Sequence, residues 1–227
     1  MTYSDLFTVW ATVLAAILAA TVLYVTAFTT GAGAQEPPCS GKVVLDAGHG
    51  GTDSGAVNAK YGLTEKEQTL DIANRLRTLL TADGCTVYMT RTSNSQTLSN
   101  NDRYTYANSK GADVLVSVHM NGSTSSSTDY TTTLFGKWRK DKELANAVFG
   151  SLSTLPTAGG TGTIATRTPY SFASGVLLKS NMPATMAETV FITSDREGQL
   201  LSNGTGTRQQ QIAQALRVGI EDYLATR

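Results

Sequence analysis

Past the Pro37-Pro38 pair, the apolar positions of the chain follow two alternating rhythms. Short β-branched runs predict strands at Val43–Ala47, Thr86–Thr90, Val114–Val118, Thr131–Phe135, Gly175–Leu178 and Met186–Ile192. Between them apolar residues recur at helical spacing. Ile72, Ala73, Leu76, Leu79 and Leu80 share one face over Thr64–Ala82, and Leu144, Ala145, Val148, Phe149 and Leu152 do so over Asp141–Leu155. Ile212, Leu216, Ile220, Tyr223 and Leu224 mark a last helix over Thr207–Ala225, and a shorter one is expected over Ser99–Ser109. Strands alternating with helices predict an α/β fold. The expectation is a single three-layer domain over residues 42–227, with a mixed, mostly parallel sheet and helices on both faces. About six strands are expected, one for each β-branched run. The helical stripes are core faces and carry no chemistry.

The first 34 residues break this rhythm. No charged residue occurs from Leu6 to Phe28, a run longer than the ~20 residues a helix needs to cross a bilayer. Ala32-x-Ala34 has the form of a signal-peptidase site and favours cleavage before Gln35. An uncleaved transmembrane anchor is the alternative, because the run is long for a signal peptide and no Lys or Arg precedes it. On either reading residues 1–34 direct export, residues 35–41 are a linker, and the remainder is extracellular, in the cell wall or periplasmic.

Composition narrows the partners. At 41% hydrophobic and 16% charged residues, the chain has material for a core and lacks the charge excess of disordered sequences. Eighteen basic and 18 acidic side chains cancel, which argues against nucleic acid as a partner. Membrane contact is expected only through residues 6–28, if that segment stays uncleaved, and a monomer is expected. Cys39 and Cys85 each precede a predicted strand. Neighbouring parallel strands would bring both to one end of the sheet, which in an exported protein favours a disulfide over two buried thiols.

The candidate chemistry lies at strand ends. His49 follows the first strand in VVLDAGHGG and His119 follows the third in VLVSVHMNG, and these are the only histidines in the chain. Both therefore fall at the carboxyl edge of the sheet, where open α/β sheets bind ligands. Two imidazoles and one carboxylate form a catalytic zinc set with one open position. Asp46, Asp53, Glu65 and Glu67 are candidates for the third ligand. Thr64-x-x-Glu67 fits a capping box, which would occupy Glu67 at the helix start and favours Glu65 as the free carboxylate. Glu188 interrupts an apolar strand and needs a partner. It is either a proton carrier beside a metal or one half of an ion pair with Arg91 or Arg103.

From Lys42 to Leu224 the chain resembles the zinc-dependent N-acetylmuramoyl-L-alanine amidases of the type 3 family. LDAGHGGTDSGA, GLTEKEQTLDIA, VYMTR, the Arg103-to-Asn108 segment, ADVLVSVHMNG and MPATMAETVFIT carry the resemblance, in the family's order and at similar spacing. The resemblance implies His49, Glu65 and His119 as ligands of one Zn2+ and Glu188 as the catalytic acid/base. It also implies hydrolysis of the amide between N-acetylmuramic acid and L-alanine in peptidoglycan. Met120 and Val190 stand where family members often have a small or amide residue and a glycine, from which an altered groove is expected. The segment between His119 and Asp141 is too short for the helix that blocks the site in some members. Ser/Thr/Gly-rich loops at Asn121–Thr128 and Gly159–Thr168 suit a rim that binds glycan and peptide. A zinc peptidase acting within the stem peptide, or a non-catalytic wall-binding protein on the same scaffold, are the alternative functions.

Overall fold

The run Lys42–Ala47 (β1) is buried at every position but the first, as a strand flanked by neighbours on both edges and covered on both faces must be. This computed structural model describes residues 39–136 and 139–227; the apolar run 6–28 and the cleavage site at Ala34 lie outside the described residues. After β1 come two short strands, Val57–Asn58 (β2) and Leu63–Thr64 (β3), which pair with each other, and then the helix Glu65–Ala82 (α1). Thr86–Met89 (β4), Asn100–Ser109 (α2), Val114–Asn121 (β5) and Thr132–Phe135 (β6) follow. The chain continues through Arg139–Leu152 (α3), Tyr170–Ser171 (β7), Gly175–Lys179 (α4), Ala184–Phe191 (β8), Asp195–Ser202 (α5) and Thr207–Ala225 (α6).

The six-stranded sheet has the order β4-β1-β5-β8-β6-β7. Only the β6–β8 pair is antiparallel, so the expectation of a mixed, mostly parallel sheet holds. One apolar cluster packs Leu76, Leu80, Leu144, Val148, Ile212 and Leu216 of α1, α3 and α6 against one face. The other packs Ala107, Val176 and Leu177 of α2 and α4 against Val44, Leu115 and Ala184. Helices thus cover both faces. No helix among the described residues is long and apolar enough to cross a membrane.

One predicted strand is wrong: Gly175–Leu178 is not a strand but the helix α4. Four apolar residues are too few to carry a period, and here Val176 and Leu177 are buried as one turn of helix. The sheet edge beside β6 is taken instead by β7, whose two residues give no pattern to read. The predicted capping box at Thr64 is not made. Thr64 Oγ1 donates to the Glu67 carboxylate at 2.7 Å, but no side chain caps the helix. The first α1 amides instead donate to loop carbonyls, Glu65 to Ala56 and Lys66 to Ser54. The full reciprocal box sits at α2, between Ser99 and Asp102.

On the sheet face that meets α2, Asp46 is fully buried. Its carboxylate accepts hydrogen bonds from Thr90 Oγ1 at 2.6 Å, Ser117 Oγ at 2.6 Å and Arg103 Nη1 at 2.7 Å. Burial alone would raise its pKa, but the Arg103 charge and these donors outweigh it and hold the carboxyl below its usual value. Asp46 thus ties β1 to β5 and α2, and is a structural anchor. Cys39 and Cys85 form a disulfide, as the strand ends suggested.

Two stability measurements follow from these contacts. Asp46→Ala leaves Arg103 buried without its counter-charge and is expected to cost about 3–5 kcal/mol in urea unfolding. The Cys39→Ser, Cys85→Ser double variant removes a cross-link between residues 46 positions apart. It is expected to lower the unfolding free energy by about 4 kcal/mol, the loop-closure value for such a span.

Candidate metal centre

Parallel pairing sets the positions of the candidate residues. Asp46 stands beside Ser117 and His119 beside Glu188 in the register of β1, β5 and β8. Strand alternation then places Asp46, Ser117, His119 and Glu188 on one face. Beyond His119 the pairing shifts: Asn121 stands beside Phe191, so β8 carries one extra residue just after Glu188. Val190, at this bulge, is fully buried in the core.

His49 is reached differently. It is the one non-glycine among the described residues with positive φ, at 61°. The left-handed conformation costs about 1–3 kcal/mol for a residue with a Cβ, and it must be held from outside. Two arginines do this. Arg103 donates from Nη1 to the Ala47 carbonyl and from Nη2 to the His49 carbonyl, at 2.9 and 2.8 Å. Arg91 donates to the Ala47 and Gly48 carbonyls at 2.9 and 2.8 Å, and to Lys66 of α1 at 2.7 Å. Neither arginine pairs with Glu188, and no ion pair to that carboxylate occurs among the described residues. Glycines around His49 serve close approach: a Cβ at Gly48 would overlap the His119 ring, and one at Gly55 would lie 2.6 Å from Glu65 Oε2.

Three side chains converge here. His49, Glu65 and His119 each offer a donor atom, and these atoms lie within 4.8 Å of one another. Glu65 Oε1 is 3.1 Å from His49 Nε2 and 3.1 Å from His119 Nδ1. Glu65 itself is fixed by backbone amides, Met120 donating to Oε1 at 2.8 Å and Ala56 to Oε2 at 2.9 Å. Burial pushes its carboxyl up, yet bonds and charges from His119 and His49 prevail and hold it far below the usual range. Burial alone would lower His49, but Glu65 and then Asp53 raise it to about 8. Asp53, a ligand candidate from sequence, meets the far nitrogen Nδ1 at 2.8 Å. It therefore orients the ring and lies outside the trio. Glu67 is occupied by Thr64, and Asp46 by the anchor described above.

Glu188 makes no side-chain hydrogen bond among the described residues. Burial raises its pKa most; the His119 charge opposes this, Glu65 adds to it, and His49 opposes it. The trio and Glu188 line a cavity of about 390 Å³ that Leu98, Asn100, Phe172, Ser174 and Val176 also line. Of the predicted rim loops, only Asn121 and Gly122 border this cavity. Ser126, Ser127, Thr157 and Ile164 line a separate one of about 420 Å³. Phe172 and Ser174 were missed because they follow a two-residue strand that no pattern announces.

Known proteins share this arrangement of elements. The Amidase_3 family model, described as N-acetylmuramoyl-L-alanine amidase, matches residues 43–222. The N-acetylmuramoyl-L-alanine amidase LytC of Bacillus subtilis is 33% identical over 192 residues, 83% of this chain and 36% of the relative. AmiC of Escherichia coli, an amidase of the same name, is 30% identical over 85% of this chain and 57% of its own length. The chain thus spans about a third to just over half of these curated relatives. The crystal structure of an N-acetylmuramoyl-L-alanine amidase from Clostridium difficile 630 superposes with a TM-score of 0.74 at 31% identity, over 83% of this chain and 98% of that one. With its sheet, its strand-end histidines and a family match over most of its length, the chain belongs to the N-acetylmuramoyl-L-alanine amidase family Amidase_3.

Proposed function

We propose that the chain is an exported peptidoglycan hydrolase that cleaves the amide between N-acetylmuramic acid and L-alanine, with His49, Glu65 and His119 holding one zinc ion and Glu188 carrying the proton. The observation that carries this reading is the meeting of three donor side chains from separate elements, within 4.8 Å, beside a carboxylate with no hydrogen-bond partner among the described residues. The donor set suits zinc: two imidazoles and a carboxylate leave one position of a tetrahedron open. The two 3.1 Å spacings are close to the edge of such a tetrahedron, about 3.3 Å for bonds of ~2 Å. Family membership and the amidase relatives support the substrate. The disulfide supports an oxidising, exported location.

When bound, zinc supplies Lewis acidity, lowering the pKa of water towards ~7 and polarising a carbonyl. The protein's own groups do the rest. Asp53 holds the His49 ring by Nδ1, which leaves Nε2 directed at the trio. The Met120 and Ala56 amides stop the Glu65 carboxylate from swinging. Glu188 accepts a proton from the attacking water and returns it to the nitrogen of the departing L-alanine, so it ends each cycle as it began.

Digestion of purified peptidoglycan tests the function: new amino-terminal L-alanine should accumulate, and a chelator should abolish it. New termini elsewhere in the stem peptide would identify a peptidase, and none at all a binding protein. Glu188→Gln should retain the metal and lose about 10²–10⁴-fold in turnover. Zinc affinity should also depend on pH in a defined direction. With the metal-free His49 pKa near 8, the imidazole is protonated below that value and must lose its proton to bind. Affinity measured by calorimetry should therefore fall as pH drops below about 8, with proton release on binding that fades above it.

A further inference from the structure

One part of the cavity wall holds three groups with no task in the fold. Phe172 is 46% exposed, and its ring has no aromatic or cationic partner among the described residues. Its backbone is nevertheless fixed, because its amide donates to the Phe135 carbonyl at 2.9 Å and its own carbonyl accepts from Ser174 at 3.0 Å. The point from which the ring projects is therefore fixed. Ser174 occupies the N-cap of α4 yet its hydroxyl caps nothing, although a serine there ordinarily bonds a helix amide. The side chain is 7% exposed and lines the cavity. Asn100, at the start of α2, makes no side-chain hydrogen bond among the described residues. It lies against the start of α4, where a Cβ on Gly175 would sit 3.4 Å from the Asn100 Cβ.

A free aromatic face flanked by an amide and a hydroxyl, with no charge among them, matches one ligand chemistry. A pyranose ring presents a C–H face that packs on an aromatic ring, and hydroxyl or acetamido groups at its edge that bond to neutral polar side chains. We propose that Phe172, Asn100 and Ser174 form the subsite for the N-acetylmuramoyl sugar ring, an inference that rests on the amidase reading above. The stem peptide then leaves the cavity away from this wall. Phe172 is a specificity-determining residue: it holds the sugar and takes no part in moving the proton.

Two arms test the subsite. In the first, calorimetry measures binding of an N-acetylglucosaminyl–N-acetylmuramic acid disaccharide, without peptide, to the zinc-loaded wild type and to Phe172→Ala. Binding should weaken in the variant and persist in Phe172→Trp. In the second, hydrolysis is compared for a muropeptide and for the lactoyl peptide that keeps the same amide and lacks the sugar. Phe172→Ala should raise KM for the muropeptide about three- to tenfold, with kcat little changed. KM for the lactoyl peptide should stay as in wild type. An equal rise for both substrates would assign the ring to the peptide and overturn the sugar subsite, as would unchanged disaccharide binding. If wild type hydrolyses neither substrate, the amidase reading fails, and the disaccharide arm still decides the subsite. Thermal unfolding of Phe172→Ala should match wild type, since the ring is half exposed.

Discussion

The buried pair of Asp46 and Arg103 is the contact on which the site's geometry rests. A carboxylate with no solvent exposure is expensive to desolvate. It is stable here because three donors saturate it, one of them a guanidinium at 2.7 Å. With its charge neutralised, Arg103 directs its remaining N–H groups at the carbonyls of Ala47 and His49. Arg91, 1% exposed and without a carboxylate partner, spans from the same turn to the first turn of α1. Burial and the neighbouring Arg103 charge lower its pKa to about 10, so it stays protonated at neutral pH. Together the two arginines lock the strand end that carries His49 to the helix that carries Glu65. The strained backbone of His49 is a consequence of that lock.

Around the trio, local preferences conflict. Glu65 and Glu188 repel, and the half-buried Glu188 carboxylate makes no side-chain hydrogen bond among the described residues. Such conflicts are costly in a fold that has no use for them. A divalent cation among the donors would relieve that repulsion. The same cavity also carries neutral side chains, Asn100, Phe172 and Ser174 among them.

Much of this was legible in the chain. Long periodic segments such as Thr207–Ala225 emerged with the expected bounds, because fifteen or more residues give a helical stripe several turns to declare itself. The histidines were legible because mostly apolar runs, Val43–Ala47 and Val114–Val118, precede them and glycines follow at Gly48 and Gly122, although β5 runs on past His119 to Asn121. Short elements were not. Nothing in Tyr170–Ser171 marks a strand, and Gly175–Lys179 reads as either structure. Glu65 was separated from Glu67 by a capping argument whose conclusion agrees with the geometry although the cap itself is not made.

The sequence by itself determined which residues are apolar, at what period, and which side chains can ionise; that is enough for an α/β sheet with both imidazoles at one edge. Only the tertiary structure decided which carboxylate meets them, since Asp46, Asp53, Glu65 and Glu67 are all chemically able and lie close along the chain. The choice is made by contacts remote in sequence: Arg103 removes Asp46, the far nitrogen of His49 takes Asp53, and amides from Ala56 and Met120 hold Glu65 in place. Hydrogen bonds between distant segments depend on packing directions, and no local pattern of residue types encodes those.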